Sequence, residues 1–123
     1  MTDPLVLVVD DDPDILDAIC DILEGEGYRV ARARHGAEAL ERVEAEQPAI
    51  ILLDLMMPVM DGVTFAQALK ERPERGRIPI VVISADGNPQ RAASIGAAGY
   101  LAKPFDIDAL LSQVAQMTTC ASA

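Results

Sequence analysis

Cysteine, histidine and lysine are all scarce in this chain, and each scarcity closes off some chemistry. The two cysteines, Cys20 and Cys120, show no metal-ligand spacing, so the chain reads as a reduced, cytoplasmic protein with no need of staples. The single histidine, His35, precedes a glycine and has no companion ligands, which makes it a solvated turn residue rather than a metal ligand. Bases are outnumbered, 10 Lys+Arg against 20 Asp+Glu, and a formal charge of −10 argues against nucleic acid backbone or anionic lipid as a partner of the surface as a whole. Cationic or protein partners are expected instead, with no direct nucleic acid contact and no membrane. No apolar run approaches the roughly 18 to 20 residues of a membrane span, and the N-terminus lacks the charged-then-apolar layout of a signal peptide. Linkers, repeats and low-complexity stretches are missing too, and 123 residues leave room for one ordinary domain, 1–123, with its own core.

Aliphatic runs are what the chain has in quantity. Ala49–Gly62, AIILLDLMMPVMDG, is a near-continuous apolar run that stops at one acid, Asp54, before a loop with Pro58 and Gly62. Leu5–Val9 stops in the same way at Asp10, Asp11 and Asp12, and Ile80–Ile83, opened by Pro79, stops at Ser84. Short aliphatic runs bounded by turn signals suit strands buried on both faces, as in a parallel sheet covered by helices. Tyr28–Ala33 alternates enough for another strand, and Gly99–Ala102 supplies the last, finishing at Lys103 and Pro104.

Helical patterns lie between the strands. Asp12 and Pro13 form a helix start, a capping acid and then a proline at the first helical position. Ile15, Ala18, Ile19, Ile22 and Leu23 follow as one apolar face, and Gly25 and Gly27 stop the helix. Gly36–Glu46 predicts a second helix with Leu40 and Val43 inward and an acidic outer face. Val63–Arg72 predicts a third with Phe65, Ala66 and Leu69 inward, Asp61 and Gly62 serving as its cap and start. After Asp86, Gly87, Asn88 and Pro89, only about two turns of a fourth helix fit before Gly96. A helix that short has little stability of its own, so a short, mobile fourth helix is expected. Asp106 opens a fifth with Ile107, Leu110, Leu111 and Val114 on one face, and the tail 118–123 is expected to fray. Strict alternation of strand and helix predicts a doubly wound α/β fold: a five-stranded parallel sheet with right-handed crossovers and helices on both faces.

Four strands deliver polar side chains at their carboxyl ends: Asp10 and Asp11, Asp54, Ser84, and Lys103. Open α/β sheets bind ligands beyond the carboxyl strand ends, where the winding direction switches, so these residues are the site candidates. Carboxylates about 4 Å apart repel by about 4 kcal/mol at an effective dielectric near 20, and such a cluster invites a divalent cation. With oxygen donors and no His or Cys, the set favours Mg2+, which keeps waters and shares its sphere with phosphoryl groups. Lys103, one of two lysines beside eight arginines, adds a compact positive charge on a flexible stem. The chemistry suited to this combination is attack by a carboxylate on phosphorus, with the cation and the lysine neutralising the phosphoryl oxygens.

VVDDD, LLDLMMPVMDG, VVISA and GYLAKPF, in this order and spacing, resemble the receiver domain of two-component response regulators, over about Leu5 to Met117. The fold is then expected to be flavodoxin-like, strand order 2-1-3-4-5, with Asp10, Asp11 and Asp54 on adjacent strands at the switch point. The resemblance implies that Asp54 accepts a phosphoryl group from a histidine kinase or phosphotransfer protein. It implies that Asp11 ligates Mg2+ directly, that Asp10 assists, and that Asp54 and the backbone carbonyl of Met56 complete the protein ligands. Lys103 would hold one phosphoryl oxygen and Ser84 another, and Tyr100 would swing inward when Ser84 moves. A cis bond before Pro104 would aim the lysine, and positions Met56 and Asp86 would tune the phosphoryl lifetime. The expectation is a stand-alone, monomeric receiver that catalyses only its own phosphorylation and dephosphorylation and signals to a protein partner or a phosphorelay.

Several residues carry plainer readings. Asp12 is most simply a helix cap. Met56, Met57 and Met60 pack the loop rather than form an adhesive surface, and Cys120 is an inert tail thiol. One alternative comes from another class: a small phosphohydrolase of the haloacid dehalogenase type, whose Asp-x-Asp after an aliphatic strand Asp10 and Asp12 mimic. Ser84 and Lys103 even fall in the right order, but a later acidic pair and room for a cap domain are wanting. A flavin-binding module of the same fold is weaker still, because three acids stand where a flavin phosphate needs a hydroxyl- and glycine-rich loop.

Overall fold

Successive side chains of a strand point to opposite faces, so a strand covered by helices on both sides needs an apolar residue at every position. That is how the aliphatic runs are used. In the computed structural model, which describes residues 5–46, 48–54, 67, 68, 71, 78–84, 90, 97–102 and 106–122, the backbone alone at 84 and 117–122, five strands form one sheet. They are β1 (Leu5–Val9), β2 (Arg29–Ala33), β3 (Ile50–Asp54), β4 (Ile80–Ser84) and β5 (Gly99–Ala102). Their order is β2-β1-β3-β4-β5, and every neighbouring pair is parallel. Three helices are present among the described residues: α1 (Pro13–Gly25), α2 (Gly36–Glu46) and α3 (Ile107–Ser122). The predicted helix over 63–72 and the short one before Gly96 lie outside the described residues, apart from helical backbone at 67, 68 and 90.

The two faces of the sheet sort by residue parity. Leu5, Leu7 and Val9 of β1 join Ile51 and Leu53 of β3 against Ala39 and Val43 of α2. Val6, Val8, Ile50 and Leu52 point the other way, onto Leu16, Ile19 and Leu23 of α1 and Leu110 and Val114 of α3. Burying each such side chain contributes about 1.5–3 kcal/mol, which is why the central strands hold nothing polar until their last residues. The edge strand β2 exposes Arg29 and Arg32. Arg32 bonds Asp17 and reaches Glu24 at 3.7 Å, tying that edge to α1. Charge on an edge strand also discourages pairing with a second chain.

Capping chemistry sets the helix ends. The Asp12 carboxylate accepts from the N–H groups of Asp14 and Ile15, and Pro13 occupies the first turn. At the other end Tyr28 N–H donates to the Leu23 carbonyl and Gly27 N–H to that of Glu24, with Gly27 at φ 91°. This is a Schellman stop, whose left-handed residue favours glycine. Helix α2 is capped by His35: its Nδ1 accepts from Glu38 N–H at 3.2 Å, and Glu38 Oε1 accepts from Arg34 N–H at 3.1 Å. His35 is thus a half-buried helix cap and not the solvated turn residue expected from its glycine neighbour.

Three other expectations need correction. The buried face of α1 is Leu16, Ile19, Cys20 and Leu23, with Ile15 and Ile22 flanking it and Ala18 exposed. Alanine has too little apolar area to choose a face, and the i, i+3, i+4, i+7 stripe of larger groups prevails. Ile107 is 51% exposed, because it sits in the first turn of α3, ahead of Leu110 and Val114, which meet the sheet. The tail also continues as helix through Ser122; no glycine or proline interrupts it. Among the described residues no helix is long and apolar enough to cross a membrane.

Candidate functional site

Strand register assembles the acids. Val9 pairs with Leu53, so the next residue of each chain segment, Asp10 and Asp54, arrives at the same level at the carboxyl end of adjacent strands. Asp10 is 2% exposed and Asp54 5%. Asp11, one residue further on, is exposed. One carboxylate oxygen from each of the three lies within 4.8 Å of the others. Two unit negative charges at that separation repel by about 3 kcal/mol at an effective dielectric near 20, and a dication converts that repulsion into attraction. Three carboxylates form a hard, oxygen-only donor set of the kind Mg2+ prefers. The residues present therefore fit that ion.

The carboxylate of Asp10 is oriented from the backbone. Its Oδ1 accepts from the N–H of Asp12 at 2.9 Å, and the N–H of Asp10 donates to the Ala33 carbonyl at 3.1 Å. Asp12 itself stands outside the group of three, its carboxylate occupied with capping α1. That removes the Asp10 and Asp12 pair on which the dehalogenase-type alternative depends, and this alternative finds no support. Sequence reading missed the Asp12 amide as a functional group. The signal was there in the Asp-x-Asp-Pro run, since an aspartate readily accepts from the N–H two residues on.

The remaining predicted residues are distributed unevenly. Ser84 ends β4 with its backbone paired to Ala102, one step beyond the pairing of Asp54 with Ile83; its side chain lies outside the described residues. Lys103, Met56, Met57, Met60, Asp61, Asp86 and the bond before Pro104 lie outside them as well, as does the side chain of Cys120. Tyr100, in β5, is half-buried and packs against the sheet face shared with α2. Among the described residues its buried hydroxyl has no hydrogen-bond partner, an arrangement that costs roughly 1–3 kcal/mol where nothing else satisfies the group. Cys20 lies fully buried on the inner face of α1, and burial pushes its thiol up to about 11, with Arg32 acting in the opposite direction. It is a core residue with no part in the acidic site.

Comparison with known proteins gives a consistent set of likenesses. The family described as response regulator receiver domain matches residues 6–115. The transcriptional regulatory protein PrrA of Mycobacterium tuberculosis is 42% identical over 117 residues, covering 93% of this chain and 49% of PrrA. The chain thus spans about half the length of the curated relatives it first matches. Among solved structures, the chemotaxis response regulator CheY4 of Vibrio cholerae superposes with a TM-score of 0.87 at 31% identity, covering 94% of this chain and 99% of that one. The receiver domain of sensor histidine kinase PA1611 from Pseudomonas aeruginosa, described with magnesium coordinated in its active site cleft, gives 0.88 at 26% identity, covering 96% and 99%.

Proposed function

The chain belongs to the response regulator receiver domain family, and on that premise we propose that it is a phosphorylation-controlled signalling switch whose phosphoacceptor is Asp54. The Asp54 carboxylate attacks the phosphorus of a phosphohistidine on a histidine kinase or phosphotransfer protein. An oxygen–phosphorus bond forms as the phosphorus–nitrogen bond breaks, and the imidazole leaves with the bonding pair. Asp11 holds Mg2+ directly and Asp10 assists, with Asp54 and the Met56 carbonyl completing the protein ligands. Bound there, the ion neutralises charge on the phosphoryl oxygens. Lys103 supplies the second positive charge, Ser84 bonds another phosphoryl oxygen, and Tyr100 responds to the movement of Ser84.

The observation that carries this reading is the convergence of Asp10, Asp11 and Asp54 within 4.8 Å at the carboxyl end of the adjacent strands β1 and β3. The magnesium described in the PA1611 receiver supports the choice of ion. A buried Tyr100 hydroxyl with no partner among the described residues supports a side chain ready to exchange environments. The chain catalyses only its own phosphorylation and dephosphorylation, and it works as a cytoplasmic monomer. A formal charge of −10 supports output to a protein or a phosphorelay rather than to nucleic acid directly.

Acetyl phosphate with Mg2+ tests the reading, because a site that supplies both nucleophile and electrostatic stabilisation needs no kinase to react with a small donor. Intact mass spectrometry is expected to show one added phosphoryl group, lost in Asp54→Asn and in excess chelator. An undiminished yield in either control would overturn the mechanism.

A further inference from the structure

We infer that Asp12 is a positioning residue for the acidic site: by capping α1 it immobilises the backbone amide that orients the Asp10 carboxylate. The inference rests on the metal-binding reading of Asp10, Asp11 and Asp54 given above. Rotation of an aspartate carboxylate about its last torsion is soft and roughly two-fold. A hydrogen bond to one oxygen therefore decides where the other points. In Asp10 one such bond is the 2.9 Å contact from the Asp12 N–H to Oδ1.

The donor of this bond is held from the helix side. Asp12 Oδ1 accepts from Asp14 N–H at 2.9 Å and Ile15 N–H at 3.4 Å, and its carbonyl accepts from Leu16 N–H at 3.0 Å. Leu16, Ile19 and Leu23 then lock α1 onto the sheet. A continuous chain of contacts thus runs from the helix core through the cap to a buried carboxylate. The Asp12 carboxylate is itself exposed and outside the group of three, so its influence on the site passes through geometry more than through charge.

Asn and Ser cap helices about as well as Asp but carry no charge, whereas Ala does neither. Mg2+ affinity is therefore measured by calorimetric titration of the unaltered protein and of Asp12→Ala, Asp12→Asn and Asp12→Ser. Hydrogen exchange of the residue 12 amide is followed in metal-free protein. Asp12→Ala is expected to bind Mg2+ about tenfold more weakly, the low end of the cost for outer-shell partners of a metal site, with faster exchange of that amide. Asp12→Asn and Asp12→Ser are expected to restore both. Equal weakening in all three variants assigns the effect to charge and overturns the inference, as does full affinity in Asp12→Ala. If the unaltered protein binds no Mg2+ while its residue 12 amide stays protected, the metal reading itself fails and takes the inference with it.

Discussion

Replacing Asp54 with asparagine is expected to stabilise the metal-free protein while abolishing its phosphorylation. Asp10 and Asp54 are both buried and offer oxygens within 4.8 Å of each other, which corresponds to about 3 kcal/mol of repulsion at an effective dielectric near 20. The exposed Asp11 is screened by solvent and is left out of that figure. Asparagine keeps the shape and removes the charge, but it replaces one acceptor oxygen by a donor, and Asp54 has other interactions that this disturbs. About 1–2 kcal/mol of net stabilisation is therefore expected after the loss of a charged hydrogen bond is set against the repulsion. Mg2+ works in the opposite sense: at a hundred times its dissociation constant it adds about 2.7 kcal/mol to a protein that binds it only when folded. Urea unfolding in chelator and in saturating Mg2+ reads both effects. The variant should unfold at higher urea in chelator, and the gap should close or reverse with Mg2+. An Asp54→Asn variant less stable than the unaltered protein in chelator would refute the idea that the acids are held together against their own repulsion.

Two further outcomes follow from local structure. Burial raises the Cys20 thiol from 9.0 to about 11, so the folded protein keeps a proton that the unfolded chain releases. The associated stability is whole below about pH 9 and is lost as pH rises toward 11. Cys20→Ala is expected to flatten that decline in urea titrations, and a thiol reagent at pH 8 should label Cys20 only after unfolding; rapid labelling of the folded protein at that site would contradict its placement on the buried face of α1. Gly27, at φ 91°, should cost about 1–2 kcal/mol when changed to alanine. Gly25→Ala, in helix with nothing near the added methyl, should be neutral or stabilise by up to about 1 kcal/mol; thermal unfolding of the pair distinguishes the two, and equal losses would argue against the Schellman stop.

Local signals made much of this protein legible from its amino acids alone. Runs such as Leu5–Val9 and Ile50–Leu53 announce strands buried on both faces, because only a strand with two covered faces has no use for a polar residue. Asp12, Pro13 and Gly27 mark the ends of α1 because capping depends on side chains within a few residues of the helix terminus. The acids at strand ends could be named as candidates for the same reason: a polar residue closing an aliphatic run stands out without reference to anything distant. Tertiary structure decided what depends on distant partners. Packing against the sheet turned α1 onto Leu16 and Cys20 rather than Ala18 and left Ile107 in solvent, since apolar periodicity limits the buried face but the neighbouring surface selects it. The pairing of Val9 with Leu53, which brings Asp10 level with Asp54, is a matter of register between segments more than forty residues apart. A slip by one residue would have turned every side chain to the other face, so the site exists because two-sided packing admits only one register.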